Sequence, residues 1–158
     1  MTTTATGTRR VPERREEVWR ALAVLHPYCA VCQVSYVADG PTRQGTTFVC
    51  VPGELADGAT PAAGAPRGTI VEWRPARVVV TRLELTPETW TTRMELADAG
   101  PGGTEGTDVT ITVGHEPVGG SRVARFLQRS SVARLVQQTV DGELDKLPAH
   151  LEQAATGR

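Results

Sequence analysis

The stretch RVVVTRLELTPETWTTRMEL, residues 77–96, decides the fold. Beyond the run Val78–Val80, apolar and polar side chains largely alternate in each half, which is the pattern of a β-strand with one buried face and one solvated face. Two strands are therefore predicted, Arg77–Leu85 and Thr89–Leu96, with Pro87 in the short break between them. Because short breaks join antiparallel neighbours, these two strands are expected to pair with each other.

The same period of two continues on both sides of this pair. Segments rich in Val, Ile, Thr and aromatic residues alternate with breaks rich in Gly, Pro and Asp, which predicts an antiparallel meander. The Thr-rich residues 2–11 predict an additional edge strand, and the long break at 52–67 predicts a flexible loop. The remaining predicted strands are Val31–Val37, Gly45–Val51, Gly68–Trp73 and Asp108–His115.

Two segments have the period of a helix instead. Glu13–Leu25 follows Pro12, has acidic residues near its start and ends before Pro27. Residues 121–153 form a predicted C-terminal helix, in which Pro148 is expected to kink or fray the last turns. Its single apolar stripe must cover the apolar face of the sheet, which predicts one α+β domain over residues 1–158. The stripe consists of Ala133, Val136, Val140, Leu144, Leu147 and Leu151.

The alternation also assigns the side chains of each strand to a face. Arg93 and Glu95 are expected to point outward as a solvated cross-strand pair. The inward set is Val34, Tyr36, Val71, Trp73, Val79, Thr81, Leu83, Leu85, Trp90, Thr92, Met94, Leu96, Val109, Ile111, Val113 and His115.

Four segments of the chain resemble a known family. They are PERREEVWRAL (12–22), GTIVEWRPARVVVTR (68–82), TWTTRMEL (89–96) and GTDVTITV (106–113). With the terminal amphipathic helix they are similar to the SRPBCC superfamily of START-like, polyketide cyclase/dehydrase and lipid-transport proteins. The resemblance implies a helix-grip fold, a seven-stranded antiparallel sheet wrapped around the C-terminal helix, with a cavity for hydrophobic ligands. These motifs are fold signatures and do not identify a reaction.

Composition and charge argue against several classes of function. The 158 residues include 17 basic and 18 acidic side chains, a formal net charge of −1, whereas nucleic-acid-binding proteins usually have a basic excess. No apolar run approaches the ~20 residues of a membrane helix. The start, MTTTATGTRR, lacks the apolar stretch of a secretory signal, which predicts a cytoplasmic protein. A Ser-His-Asp order, a P-loop and a dinucleotide-binding glycine motif are all missing from the sequence.

Two inward residues are candidates for proton transfer or ligand polarisation. His115 ends an inward strand, where a neutral imidazole acts as acid, base or hydrogen-bond donor. Tyr36 offers a phenol that donates to a ligand carbonyl or enolate. The alternatives are a histidine at the rim of the sheet and a core tyrosine whose hydroxyl reaches solvent.

Four further inward residues complete the candidate ligand site. Trp73 and Trp90 are flat walls for an aromatic ligand, or else they are core packing. Thr81 and Thr92 place hydroxyls among aliphatic neighbours and mark a polar part of the cavity.

The cysteines are expected to be structural, and neither metal nor cofactor is predicted. Cys29 and Cys32 form C-x-x-C, with Cys50 farther along the chain. A zinc site made by His26, Cys29, Cys32 and Cys50 is one alternative, and a redox pair is another. The stretch leaves a helix and enters a strand, which is the wrong context for a thioredoxin-like motif.

The leading functional hypothesis is the binding of a small hydrophobic or aromatic molecule in an internal cavity. Such cavities are mostly apolar with a few placed polar groups, as the inward set is here. An aromatase/cyclase that acts on a polyketide is a second hypothesis, in which His115 or Tyr36 moves protons. A chaperone-activator-like interaction domain is a third. The sequence leaves open whether the chain is an enzyme.

Overall fold

The computed structural model describes residues 2–119 and 122–157, apart from the side chains of 122–128. The predicted strands and helices are found with shifted ends, and the first residue predicted for the terminal helix, Ser121, lies outside the described residues. The elements are β1 (Thr3–Val11), α1 (Arg15–Leu22), β2 (Tyr28–Cys29), β3 (Val34–Ala38), β4 (Thr47–Pro52), β5 (Arg67–Arg74), β6 (Val78–Leu85), β7 (Glu88–Asp98), a 3₁₀ turn (Pro101–Gly103), β8 (Thr107–Pro117) and α2 (Arg122–Thr156).

All strands belong to one antiparallel sheet in the order β1-β8-β7-β6-β5-β4-β3-β2. The predicted meander is β2 to β8, and β1 returns to pair with β8 at the edge. With the long terminal helix, this sheet confirms the predicted α+β class. The described sheet has eight strands rather than the seven that the resemblance implies, because the chain forms a two-residue strand, β2, before β3.

The first half of the predicted strand Val31–Val37 was wrong. Residues 30–33 form the turn between β2 and β3, and Gln33 has a φ of 53° in the left-handed region. Extended backbone cannot continue through such a residue, so β3 begins only at Val34.

The pairing register arranges the inner-face residues in rows that cross the sheet, because directly opposed residues share a face. We call these the first, second and third rows. The first row is Phe48, Gly68, Leu83, Trp90 and His115; the second is Ile70, Thr81, Thr92, Val113 and Ala5; the third is Trp73, Val79, Met94, Ile111 and Gly7.

One inward prediction, Val71, is corrected by a β-bulge. The register of β5 against β6 shifts between Ile70 and Glu72. The extra residue lets both Ile70 and Trp73 face inward, while Val71 is 42% exposed. A bulge inserts one extra residue into a strand, so the residues beyond it point to the face opposite to the one that simple alternation predicts.

The terminal helix packs on β1, on β8 and on α1. The β1 end of the third row lies beneath it: a Cβ on Gly7 would lie 2.7 Å from Leu144 Cδ1 and 2.9 Å from Val140 Cγ1. Glycine therefore permits the close approach of β1 and α2. One residue of the predicted apolar stripe, Ala133, is exposed. Val132, one turn before Val136, packs against the core in its place.

The helix continues through Pro148 to Thr156, so this proline does not end it. Neither helix in the described part of the chain has the length and apolarity needed to span a membrane.

Candidate functional site

His115 lies at one end of the first row and is 4% exposed. Its Nε2 is 3.3 Å from Glu88 Oε2, and Trp90 Nε1 donates to the same oxygen at 3.2 Å. The rings of Trp90 and His115 meet edge to face with centroids 4.9 Å apart. Glu88 and Trp90 thus fix the orientation of the imidazole.

The other ring nitrogen of His115, Nδ1, is buried and accepts or donates no hydrogen bond within the described residues. Leaving a buried polar atom unpaired costs about 1–3 kcal/mol. A ligand atom that bonds Nδ1 would recover this cost, which makes Nδ1 the strongest polar anchor on this part of the inner face.

The two threonines predicted to mark a polar region face each other across β6 and β7. Thr81 and Thr92 are half-buried, as are Leu83 and Trp90 in the adjacent first row. By contrast, Val113 in the second row is buried on β8, where α2 packs. In the first two rows, therefore, the partly accessible positions are those of β6 and β7, since Phe48 on β4 and Ile70 on β5 are buried as well.

Tyr36 is half-buried against the core at the other side of the sheet. Its ring meets that of Phe48 edge to face at 5.9 Å. Burial raises the pKa of the Tyr36 phenol, so the hydroxyl stays protonated and able to donate. Tyr36 lies on β3 and His115 on β8, with four strands between them in the sheet, so the structure does not pair these two candidates.

Trp73 lies in the third row, where its ring packs against Trp19 of α1 with centroids 4.7 Å apart. Trp73 therefore packs against α1 and does not lie beside Trp90, which is in the first row.

The outward orientation expected for Arg93 is observed: its guanidinium donates to Glu95 on the same strand and to Glu72 on β5. The partner of Arg93 on another strand is thus Glu72, whereas Glu95, the partner expected from the sequence, lies on the same strand as Arg93.

A second cluster of reactive side chains joins the C-x-x-C turn to α2. The Sγ of Cys29 is 3.7 Å from His150 Nδ1, and the Sγ of Cys32 is 3.6 Å from His150 Nε2. His26 and Cys50, the partners considered from the sequence, lie outside this cluster. His26 instead contacts the carbonyl of Arg20 through Nε2 at 3.3 Å.

An open groove of about 910 Å³ runs between α1, the end of β1 and the last turns of α2. Its lining is mixed, with Arg9, Glu17 and Arg20 beside Ala21 and Leu151. Cys29 and His150 also line this groove, so the cysteine–histidine cluster is reached from it.

Two site residues, Glu88 and His150, were missed by sequence reasoning. Glu88 follows the Thr86-Pro87 break, and nothing local marks it as the partner of a histidine on another strand. His150 follows Leu147 by three residues, which is the spacing of neighbours on one helix face. Its position beside the apolar stripe was the signal that could have identified it.

Comparison with known proteins identifies the fold but no family. No family model matches the chain, and no curated protein matches it. Among solved structures, the chain is similar to a Staphylococcus aureus protein of unknown function, with a TM-score of 0.70 and 11% identity, over 99% of this chain and 97% of that one.

Two other solved structures have the same architecture. A Thermus thermophilus protein has a TM-score of 0.66 and 19% identity, over 96% of this chain and 98% of that one. Ara h 8.0201 has a TM-score of 0.55 and 14% identity, over 91% of this chain and 98% of that one. At these identities the likeness concerns the fold alone, which is the helix-grip fold.

Proposed function

We propose that this protein binds a small hydrophobic or aromatic molecule between the inner face of its sheet and α2, as a member of the SRPBCC superfamily. The observation that carries the proposal is the uneven packing of the helix. Within the described residues α2 packs on β1, β8 and α1, while Thr81, Leu83, Trp90 and Thr92 of the central strands are only half-buried. Apolar lining with a few hydroxyls is typical of ligand sites.

His115 gives this site its polarity. The imidazole is held by Glu88 through Nε2, and its buried Nδ1 is unpaired among the described residues. A carbonyl or hydroxyl of the ligand would bond this nitrogen, while the ring of Trp90 provides a flat neighbouring surface. A ligand with an apolar body and a single oxygen at one end matches these groups.

Titration with a fluorescent hydrophobic dye, followed by its displacement with candidate ligands, tests the proposal. Leu83→Trp fills the space beside Trp90 and is expected to abolish dye uptake. Arg82→Trp, exposed on the opposite face of the same strand, is the matched control and should bind as the wild type does. Equal uptake by both variants would place the dye elsewhere and contradict the proposal.

A second pair of variants tests the role of His115. Asn at this position retains a polar atom where Nδ1 lies, and Gln retains one where Nε2 lies. His115→Asn should therefore bind an oxygen-bearing ligand more tightly than His115→Gln, although Gln preserves the contact with Glu88. The reverse order of affinities would show that the ligand does not use Nδ1.

The cyclase alternative places proton transfer on His115 or Tyr36. In the sheet, these residues lie on strands separated by four others. No observation favours it over binding.

A further inference from the structure

Three side chains that the proposed ligand site does not use converge at the base of α2. The Sγ atoms of Cys29 and Cys32 and a ring nitrogen of His150 all lie within 4.8 Å of one another. A tetrahedral Zn²⁺ with Zn–S bonds of ~2.3 Å and a Zn–N bond of ~2.0–2.1 Å separates its sulfur and nitrogen ligands by about 3.6 Å. Each sulfur lies at about that distance from one nitrogen of the ring, Cys29 at 3.7 Å from Nδ1 and Cys32 at 3.6 Å from Nε2, so one ion bound through a single nitrogen requires the imidazole to turn.

The backbone of the C-x-x-C turn brings both sulfurs to the same side. The left-handed conformation of Gln33 closes the turn directly after Cys32, and the amide of Cys32 donates to the Sγ of Cys29 at 3.4 Å. The turn thus orients both cysteine ligands toward α2.

An ion pair of α2 lies beside the cluster. The Nζ of Lys146 is 3.0 Å from Glu143 Oε1, so these two neighbouring charges oppose each other. Metal binding must displace the protons of the cysteine thiols.

We propose that Cys29, Cys32 and His150 form a binding site for Zn²⁺. Both sulfurs and one imidazole nitrogen are its ligands, and a small turn of the ring presents a single nitrogen to the ion. Three protein ligands leave the fourth tetrahedral position open. Cys29 and His150 line the groove beside α1, which gives the ion a path of entry and exposes that fourth position to water. The ion would fasten the β2–β3 turn to the last turns of α2.

The test measures metal binding by tag-free, fully reduced protein. Native mass spectrometry after addition of Zn²⁺ should show one ion per chain. Substitution by Co²⁺ should give the thiolate-to-metal charge-transfer absorption and the intense visible bands of a tetrahedral site. Cys29→Ser, Cys32→Ser and His150→Gln should each weaken Zn²⁺ binding by at least ~100-fold, since loss of an outer partner alone costs 10–100-fold.

Cys50→Ser and His26→Gln are the matched controls, because each removes the same kind of ligand from outside the cluster. Both should bind Zn²⁺ as the wild type does, and circular dichroism should show that all five variants are folded. Failure of the folded, reduced wild type to bind Zn²⁺ would overturn the proposal. Undiminished binding by Cys32→Ser or His150→Gln would overturn it as well.

This inference goes beyond the proposed function and is independent of it. Dye uptake by Cys32→Ser reports on the inner face of the sheet, whereas Zn²⁺ binding by Leu83→Trp reports on the cluster. Each site can therefore fail its own test while the other passes.

Discussion

Replacement of Gly68 by alanine is expected to destabilise the protein through a single contact. The ring of Phe48 lies directly over Gly68, its partner in the first row. A Cβ on residue 68 would overlap Cζ and Cε2 of that ring and would lie 2.8 Å from Cε1. Carbon atoms in contact are normally about 3.5–4.0 Å apart. Because Phe48 is only 6% exposed, the ring can move away only by displacing its neighbours.

The size of the effect follows from two opposing contributions. Overpacking of a well-filled core costs about 1–3 kcal/mol. Alanine recovers about 0.4–1 kcal/mol, because it lowers the conformational entropy of the unfolded chain relative to glycine. Gly68→Ala should therefore reduce the free energy of unfolding by about 1–2 kcal/mol. At this chain length each kcal/mol corresponds to a shift in Tm of about 2–4 °C.

A double-mutant cycle in urea, followed by circular dichroism, isolates this contact. Phe48→Leu removes Cε1, Cε2 and Cζ, so Gly68→Ala should cost nothing in the Phe48→Leu background and should even stabilise it. The expected coupling free energy is the steric contribution alone, about 1–3 kcal/mol. Gly40→Ala, where a Cβ meets nothing within 4 Å, is the control and should be nearly neutral. If Gly68→Ala cost the same in both backgrounds, the steric argument would be refuted.

Three further predictions concern the core, the surface and the metal site. Leu147→Ala empties a core position that is 2% exposed and should cost about 2–5 kcal/mol, whereas Leu135→Ala, at 49% exposure, should change the urea midpoint little. Arg10 donates two hydrogen bonds to Asp108 and lowers the pKa of that carboxyl. The stability that this pair adds is fully present above the unfolded-state pKa of Asp108, and it is lost as the pH falls through the lower, folded-state pKa. On acidification, Tm should therefore fall less for Asp108→Asn than for the wild type. Zn²⁺ at a hundred times its Kd should stabilise the reduced protein by about 2.7 kcal/mol in a thermal melt, and Cys32→Ser should show no such increase.

The regular parts of the fold could be predicted because their signal is local. Alternation along β8 assigned Val113 and His115 to the buried face, and both are buried. The helical period likewise identified Val136 and Leu147 as core positions. In each case the side chain's neighbours in sequence report its environment, because one face of the element is buried throughout its length.

Where the prediction failed, a single backbone irregularity or a distant contact was responsible. The bulge after Ile70 is one extra residue, which the alternation of Val71 with its neighbours does not reveal. Cys29 and His150 are 121 residues apart in the chain. Their contact depends on where the last turns of α2 lie relative to the β2–β3 turn, and no local pattern encodes that position.

The pairing of β1 with β8 has a consequence for synthesis on the ribosome. Thr6 and Thr112 share a hydrogen bond although they are 106 residues apart, so β1 has no partner strand until β8 has emerged. Gly7 must in addition wait for Val140 and Leu144 of α2. Contacts between such distant segments form slowly, and we expect the sheet to be completed only after β8 and α2 have been synthesised. Until then the N-terminal segment stays exposed to proteases and to other chains.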